Sequence, residues 1–141
     1  MYTLEEIAAL RQKCYDLCLK NHEILQKYTD EELQVICNGI GPGAFPKGIR
    51  KFVSSIHPTL ESVAMIHDAE FEESDGTQIS FTAANDRYAE NGSIAAEAEY
   101  QWYDPRRYIV KLQACRHARL CQLGGWQGYI KCAGKEENGT S

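Results

Sequence analysis

The sequence predicts an all-α fold of about five helices, on three observations. Apolar residues recur at spacings of three and four through most of the chain, the period that keeps one face of a helix turned to a core. Helix-starting signals, Thr3, Thr29, Pro58 and Asp104-Pro105, stand just ahead of these runs. Strand signals are confined to two short stretches, Gln78 to Phe81 and Gln127 to Lys131. The 141 residues suffice for one domain, which at this size buries about two-thirds of the surface of its unfolded chain. Residues 1–133 are expected to form that helical domain, and the small polar residues of 134–141 a flexible tail.

Thr3 and Glu6 form a T-x-x-E capping box, and Leu4, Ile7, Leu10, Cys14, Leu17, Cys18, Ile24, Leu25 and Tyr28 continue one apolar stripe, predicting a single long helix to about Lys27. Thr29 and Glu32 repeat the box ahead of a short helix carrying Leu33, Val35 and Ile36. Three glycines and two prolines within Gly39 to Pro46 then forbid regular structure. His57-Pro58-Thr59 opens a helix whose buried face is Leu60, Val63, Ala64, Ile66, His67 and Phe71. Asp75-Gly76 reads as a turn. Ser80 or Thr82 is expected to cap an alanine-rich helix through Tyr100, with Gly92 its weak point. Asp104 and Pro105 start the last long helix, and Gly124-Gly125 stop it.

Composition narrows function. With 43% apolar and 25% charged residues the chain is globular, which excludes wholesale disorder. A net charge of −5 argues against duplex nucleic acid as a partner. No run approaches eighteen apolar residues, so no transmembrane segment is expected, and the charged amphipathic start has no signal-peptide pattern, so a cytoplasmic location is expected. Six cysteines without an export signal are read as free thiols.

Chemistry concentrates in the glycine-rich loop and the His67-Asp68 step. Loop carbonyls and a carboxylate make the oxygen-only cradle that Ca²⁺ takes, leaving histidine free to act as a base. Adjacent helical residues point about 100° apart, so Asp68 can face an ion while His67 faces a substrate. A histidine base needs an acceptor on its other ring nitrogen. If the helices flanking Asp75-Gly76 fold back as an antiparallel hairpin, Asp86 lies level with His67 and is the expected partner.

On these residues the chain resembles the phospholipase A2 superfamily, in particular its short bacterial and phage-borne members. The resemblance is carried by Cys37-Asn38-Gly39-Ile40-Gly41, by His67-Asp68-Ala69-Glu70-Phe71, and by Asp86 in the second helix, and it covers roughly residues 37–90. It implies that the carbonyls of Cys37, Gly39 and Gly41 and the carboxylate of Asp68 hold Ca²⁺. It further implies that the Gly39 amide helps stabilise an oxyanion, that His67 draws a proton from the attacking water, and that Asp86 orients His67. The implied substrate is an ester of a phospholipid. Ala64 stands where the family usually has a cysteine, Phe71 where a tyrosine commonly supports the dyad aspartate, and Pro42 where a second glycine is usual.

Other readings stay open beside this one. His67 is equally a core histidine, and Asp68 and Asp86 solvated helix residues. Cys14, Cys18 and His22 share one face of the expected first helix, which suggests a soft-metal site if Cys115, His117 or Cys121 came alongside, or else small core residues. Phe45, Ile49 and Phe52 interleave with Lys47, Arg50 and Lys51, a lipid-facing patch or a short helix burying its aromatics. The basic side of the last helix (Arg106, Arg107, Lys111, Arg116, Arg119) is expected to answer the acidic stretch Glu70 to Asp75. Two functions result: a Ca²⁺-dependent ester hydrolase with a His-Asp dyad, or a noncatalytic helical binding or structural protein of a phage or mobile element.

Overall fold

The computed structural model describes residues 1–38 and 56–138, with side chains to residue 134. Every regular element among the described residues is helical. Helix α1 spans Leu4–Asp16, α2 Asp30–Cys37, α3 Glu61–Glu72, α4 Gln78–Glu99, α5 Pro105–Gly124 and α6 Trp126–Asn138, with short 3₁₀ turns at His22–Lys27 and Pro58–Leu60. The weak strand signals resolve as helix: Gln78 to Phe81 opens α4, and Gln127 to Lys131 lies within α6. Helix α6 also runs on through Asn138, into the segment expected to be a tail. The interval 39–55, which holds the glycine-rich loop and the Phe45 to Phe52 patch, lies outside the described residues.

Local chemistry sets the helix starts. In both capping boxes a threonine hydroxyl accepts from the third amide of the helix, Glu6 N at 3.2 Å and Glu32 N at 3.2 Å. Each glutamate carboxylate accepts in return from the threonine amide, at 2.7 and 2.8 Å. Asp104 accepts from Arg106 N at 2.9 Å with Pro105 in the first turn of α5. Helix α4 is capped by Thr77, whose hydroxyl accepts from Ser80 N at 3.3 Å, rather than by Ser80 or Thr82. The carboxylate of Asp75 explains the earlier start: it accepts from Thr77 N at 2.9 Å and from Ser80 Oγ at 2.6 Å, folding the turn before Gly76 has finished reversing the chain at φ 75°.

The expected long first helix breaks at Asp16. Cys18 and Asn21 take left-handed backbone conformations, φ 49° and 63°, which cost a residue bearing a Cβ about 1–2 kcal/mol each. Helix α4 holds this bend in place. The buried amide of Asn91 accepts from Lys20 N at 2.6 Å and donates to Lys20 O at 3.0 Å, and Lys20 Nζ pairs with Glu90. Asn21 Nδ2 donates to Glu70 Oε1 at 2.8 Å. The apolar stripe survives the break because Leu19, Ile24 and Leu25 are buried by the bend itself.

Helix α3 sits in the middle, packed against α1, α2, α4 and α6. Ser62, Val63, Met65, Ile66, His67, Ala69 and Glu70 are all buried, more than one face of a helix can hold. Helices α3 and α4 run antiparallel, with Phe71 against Phe81 (ring centroids 5.9 Å apart) and His67 against Tyr88 (5.2 Å). Phe71, Phe81, Trp126 and Tyr129 join α6 to this pair. Three residues of the basic side of α5 pair outside the acidic stretch of α3: Arg107 and Lys111 with Glu97 at 3.6 and 2.6 Å, and Arg106 with Asp104 at 2.7 Å. The acidic stretch is met instead by Arg87 of α4, which pairs with Glu70, and by Lys27, which pairs with Glu73 at 3.4 Å.

Gly92 is the point of closest approach between α4 and α5. A Cβ there would stand 2.2 Å from Ala114 Cβ, so the residue read as a weak point is instead what lets two helices touch. Replacing Gly92 by Ala is expected to destabilise the fold by about 1–3 kcal/mol, since forced overpacking exceeds the roughly 1 kcal/mol of helix propensity gained. Urea melts of Gly92→Ala and of Gly92→Ala with Ala114→Gly check this, the second substitution restoring most of the loss.

Candidate functional site around His67 and Asp68

His67 and Asp68 occupy consecutive positions on α3 and therefore point into different surroundings. The His67 ring is 7% exposed, wedged between Phe71 (centroids 4.5 Å apart) and Tyr88. Its Nε2 lies 2.8 Å from Asn85 Oδ1, and since an amide oxygen only accepts, Nε2 carries the proton. The neutral ring then has its lone pair on Nδ1. Burial lowers the His67 pKa to about 4, against the partial support of the Asn85 bond, so the ring is neutral at physiological pH.

The expected partner, Asp86, is exposed and does not hold His67. The reason is register. The two antiparallel helices meet one residue earlier than the Asp75-Gly76 turn suggests, and a one-residue step rotates a side chain by about 100°, which turns Asn85 inward and Asp86 to solvent. An amide orients the imidazole and sets its tautomer, but carries no charge to stabilise an imidazolium.

Asp68 is half-buried, and among the described residues no hydrogen bond or ion pair reaches its carboxylate. Burial alone raises its pKa to about 7. Its charge is felt by Tyr2, Cys37, Tyr88 and Cys121, whose pKa values rise first through their own burial and further through Asp68. Cys37 closes α2, where the last carbonyls of a helix lack intrahelical donors and carry partial negative charge. Of the expected Ca²⁺ ligands, Cys37 and Asp68 lie on helices that pack together, α2 and α3, whereas Gly39 and Gly41, with the Gly39 amide, lie outside the described residues.

The soft-metal arrangement does not form. Cys14 is buried with Sγ donating to Ser62 O at 3.2 Å, Cys18 is exposed beyond the helix end, and His22 Nδ1 lies 2.8 Å from Leu19 O in the 3₁₀ turn. Among the described residues no three His, Cys, Asp or Glu side chains gather as a metal-binding group. No described helix is long and apolar enough to cross a membrane.

Three residues that motif reading passes over complete the site. Asn85 Nδ2 donates to Gln122 Oε1 at 2.8 Å, and Gln122 Nε2 donates to Thr82 Oγ1 at 3.0 Å. Asparagine, glutamine and threonine carry no motif signal; only the register of α3 against α4 and of α4 against α5 brings them to His67. No family model, curated protein or solved structure matches the chain.

Because ionised Asp68 is disfavoured in the fold, its cost to stability is small near pH 4, grows as pH rises towards 7 and levels off above it. Asp68→Asn is expected to be as stable as the wild type at pH 4 and more stable at pH 8 without divalent cations. The gain is on the order of 2 kcal/mol, smaller than the full shift implies because the group is partly exposed. Thermal melts at the two pH values measure it. His67 has the opposite sign: its lowered pKa supports stability above about pH 6.5, and that support is lost as pH falls to about 4.

Proposed function

We propose that the protein is a Ca²⁺-dependent ester hydrolase of phospholipase A2-like type, with a His67–Asn85 pair in place of the His67–Asp86 dyad that the resemblance implies. The observation that carries this reading is Asp68. It is a half-buried carboxylate that no hydrogen bond or ion pair reaches among the described residues, on a helix packed against α2, whose last residue, Cys37, leads into the glycine-rich interval. Asp68 and the carbonyl of Cys37 would hold the ion, with the carbonyls of Gly39 and Gly41 as the resemblance implies. Bound there, Ca²⁺ would supply Lewis-acid stabilisation to an oxyanion formed from an ester carbonyl.

The remaining work falls to the protein. Nδ1 of His67 accepts a proton from water as the water attacks, while Nε2–H stays on Asn85, which keeps the ring aimed. Phe71 and Tyr88 exclude solvent from the ring faces. A base with a pKa of about 4 and an uncharged partner is weak, so turnover is expected to be slow. The implied substrate is a phospholipid or a related carboxylic ester.

A second reading, a noncatalytic helical binding or structural protein such as phage and mobile elements encode, is favoured by that same weak basicity and by the exposure of Asp86. Calcium separates the two. Millimolar Ca²⁺ is expected to raise the melting temperature of the wild type and not of Asp68→Asn, since a ligand that binds only the folded state stabilises it. With mixed phospholipid vesicles, Ca²⁺-dependent fatty-acid release that His67→Ala abolishes supports the hydrolase. A wild type that neither shifts with Ca²⁺ nor releases fatty acid leaves the binding protein.

A further inference from the structure

We propose that Gln122, on α5, is a positioning residue that selects the tautomer of His67 by holding the Asn85 amide in one orientation. The part this plays in turnover rests on the hydrolase reading; the selection itself does not.

An asparagine amide can face a neighbour with its oxygen or its nitrogen, and the two choices impose opposite tautomers on a histidine bonded to it. With Oδ1 towards His67, Nε2 must donate and Nδ1 keeps the lone pair. With Nδ2 towards His67, Nε2 must accept, the proton moves to Nδ1, and no base remains on that side of the ring. Nothing in Asn85 itself chooses between them.

The choice is made on the far side of the amide. Gln122 Oε1 accepts from Asn85 Nδ2 at 2.8 Å, which obliges Oδ1 to face His67 Nε2, also at 2.8 Å. Gln122 Nε2 donates to Thr82 Oγ1 at 3.0 Å; a hydroxyl takes either role, so the group presented at residue 122 sets the sense of the chain. Donation therefore runs in one sense from the ring outwards: His67 to Asn85, Asn85 to Gln122, Gln122 to Thr82. The chain crosses three helices, so a side chain at the exposed end of α5 governs which nitrogen of a buried ring on α3 is basic.

The polarity of residue 122 supplies the test. Glutamate in its place still accepts from Asn85 Nδ2, whereas lysine can only donate and would draw Oδ1 towards itself, leaving Nδ2 to face the ring. Long-range ¹H–¹⁵N correlation spectra of the ¹⁵N-histidine-labelled full chain at pH 7.5 distinguish the tautomers, with His67 assigned by its loss in His67→Gln. Wild type and Gln122→Glu are expected to show Nε2–H, and Gln122→Lys to show Nδ1–H.

An Nε2–H pattern retained in a Gln122→Lys variant that melts like the wild type overturns the proposal. Should that variant fail to fold, Gln122→Met removes the acceptor without adding charge and is expected to lose the single-tautomer signature; an unchanged pattern there overturns the proposal equally. Fatty-acid release by the same samples separates this inference from the functional reading. A tautomer switch with at least a tenfold loss of turnover supports both. A switch in a protein whose wild type never turns over leaves the positioning role standing and removes the hydrolase.

Discussion

Enclosure of α3 over most of its circumference is the constraint from which the rest of the structure follows. A helix buried over more than half its circumference cannot reserve its polar residues for solvent, and each one brought inside must find a partner on a neighbouring element or bear the cost of desolvation. Glu70 is met by Arg87 and Asn21, and His67 by Asn85. The carbonyl of Ser62 accepts the Cys14 thiol. Matching is incomplete: among the described residues the Ser62 hydroxyl and Glu70 Oε2 are buried without a hydrogen-bond partner, and half-buried Asp68 has none either, its pKa raised by burial to about 7. Each matched group aligns one neighbour with α3.

Helix α4 supplies most of the matching. Along its length Asn85 serves the imidazole, Arg87 the buried glutamate, Tyr88 the ring face, and Asn91 both backbone groups of Lys20. Its many alanines and Gly92 are then not merely helix-favouring or helix-weakening. They keep it slim, so that α3 and α5 both approach closely enough for short polar side chains to span the gap. The site is thus as well aligned as the packing of α4 is tight, which ties any chemistry at His67 to the stability of the bundle.

The strained bend between α1 and α2 has the same origin. Two non-glycine residues in left-handed conformations would not be stable in isolation, and Asn91 and Glu70, distant in sequence, compensate for them. Tyr88 belongs to this economy as well: its hydroxyl lies 3.3 Å from His117 Nδ1, linking the same layer to α5.

Those elements that depend on nearest neighbours were legible in the residues themselves. The two capping boxes, Asp104-Pro105, the turn at Asp75-Gly76 and the stop at Gly125 each involve groups within a few positions of one another, so local hydrogen bonding decides them. The importance of the His67-Asp68 step was visible too, because titratable side chains on an apolar stripe are conspicuous. Its wiring was not. Periodicity carries an apolar stripe across Asp16 without revealing that Asn91 will bend the chain there, and an aspartate beside an asparagine draws the eye to the charge. Whether residue 85 or 86 faces the imidazole depends on a shift of one position between packed helices, and a sequence that states its helices fully leaves that shift open. Composition and pattern therefore determined that this is a helical protein and where its helices begin; only the packing of α3 among its neighbours decided which partner each buried polar group would have, because that depends on distances between segments far apart along the chain.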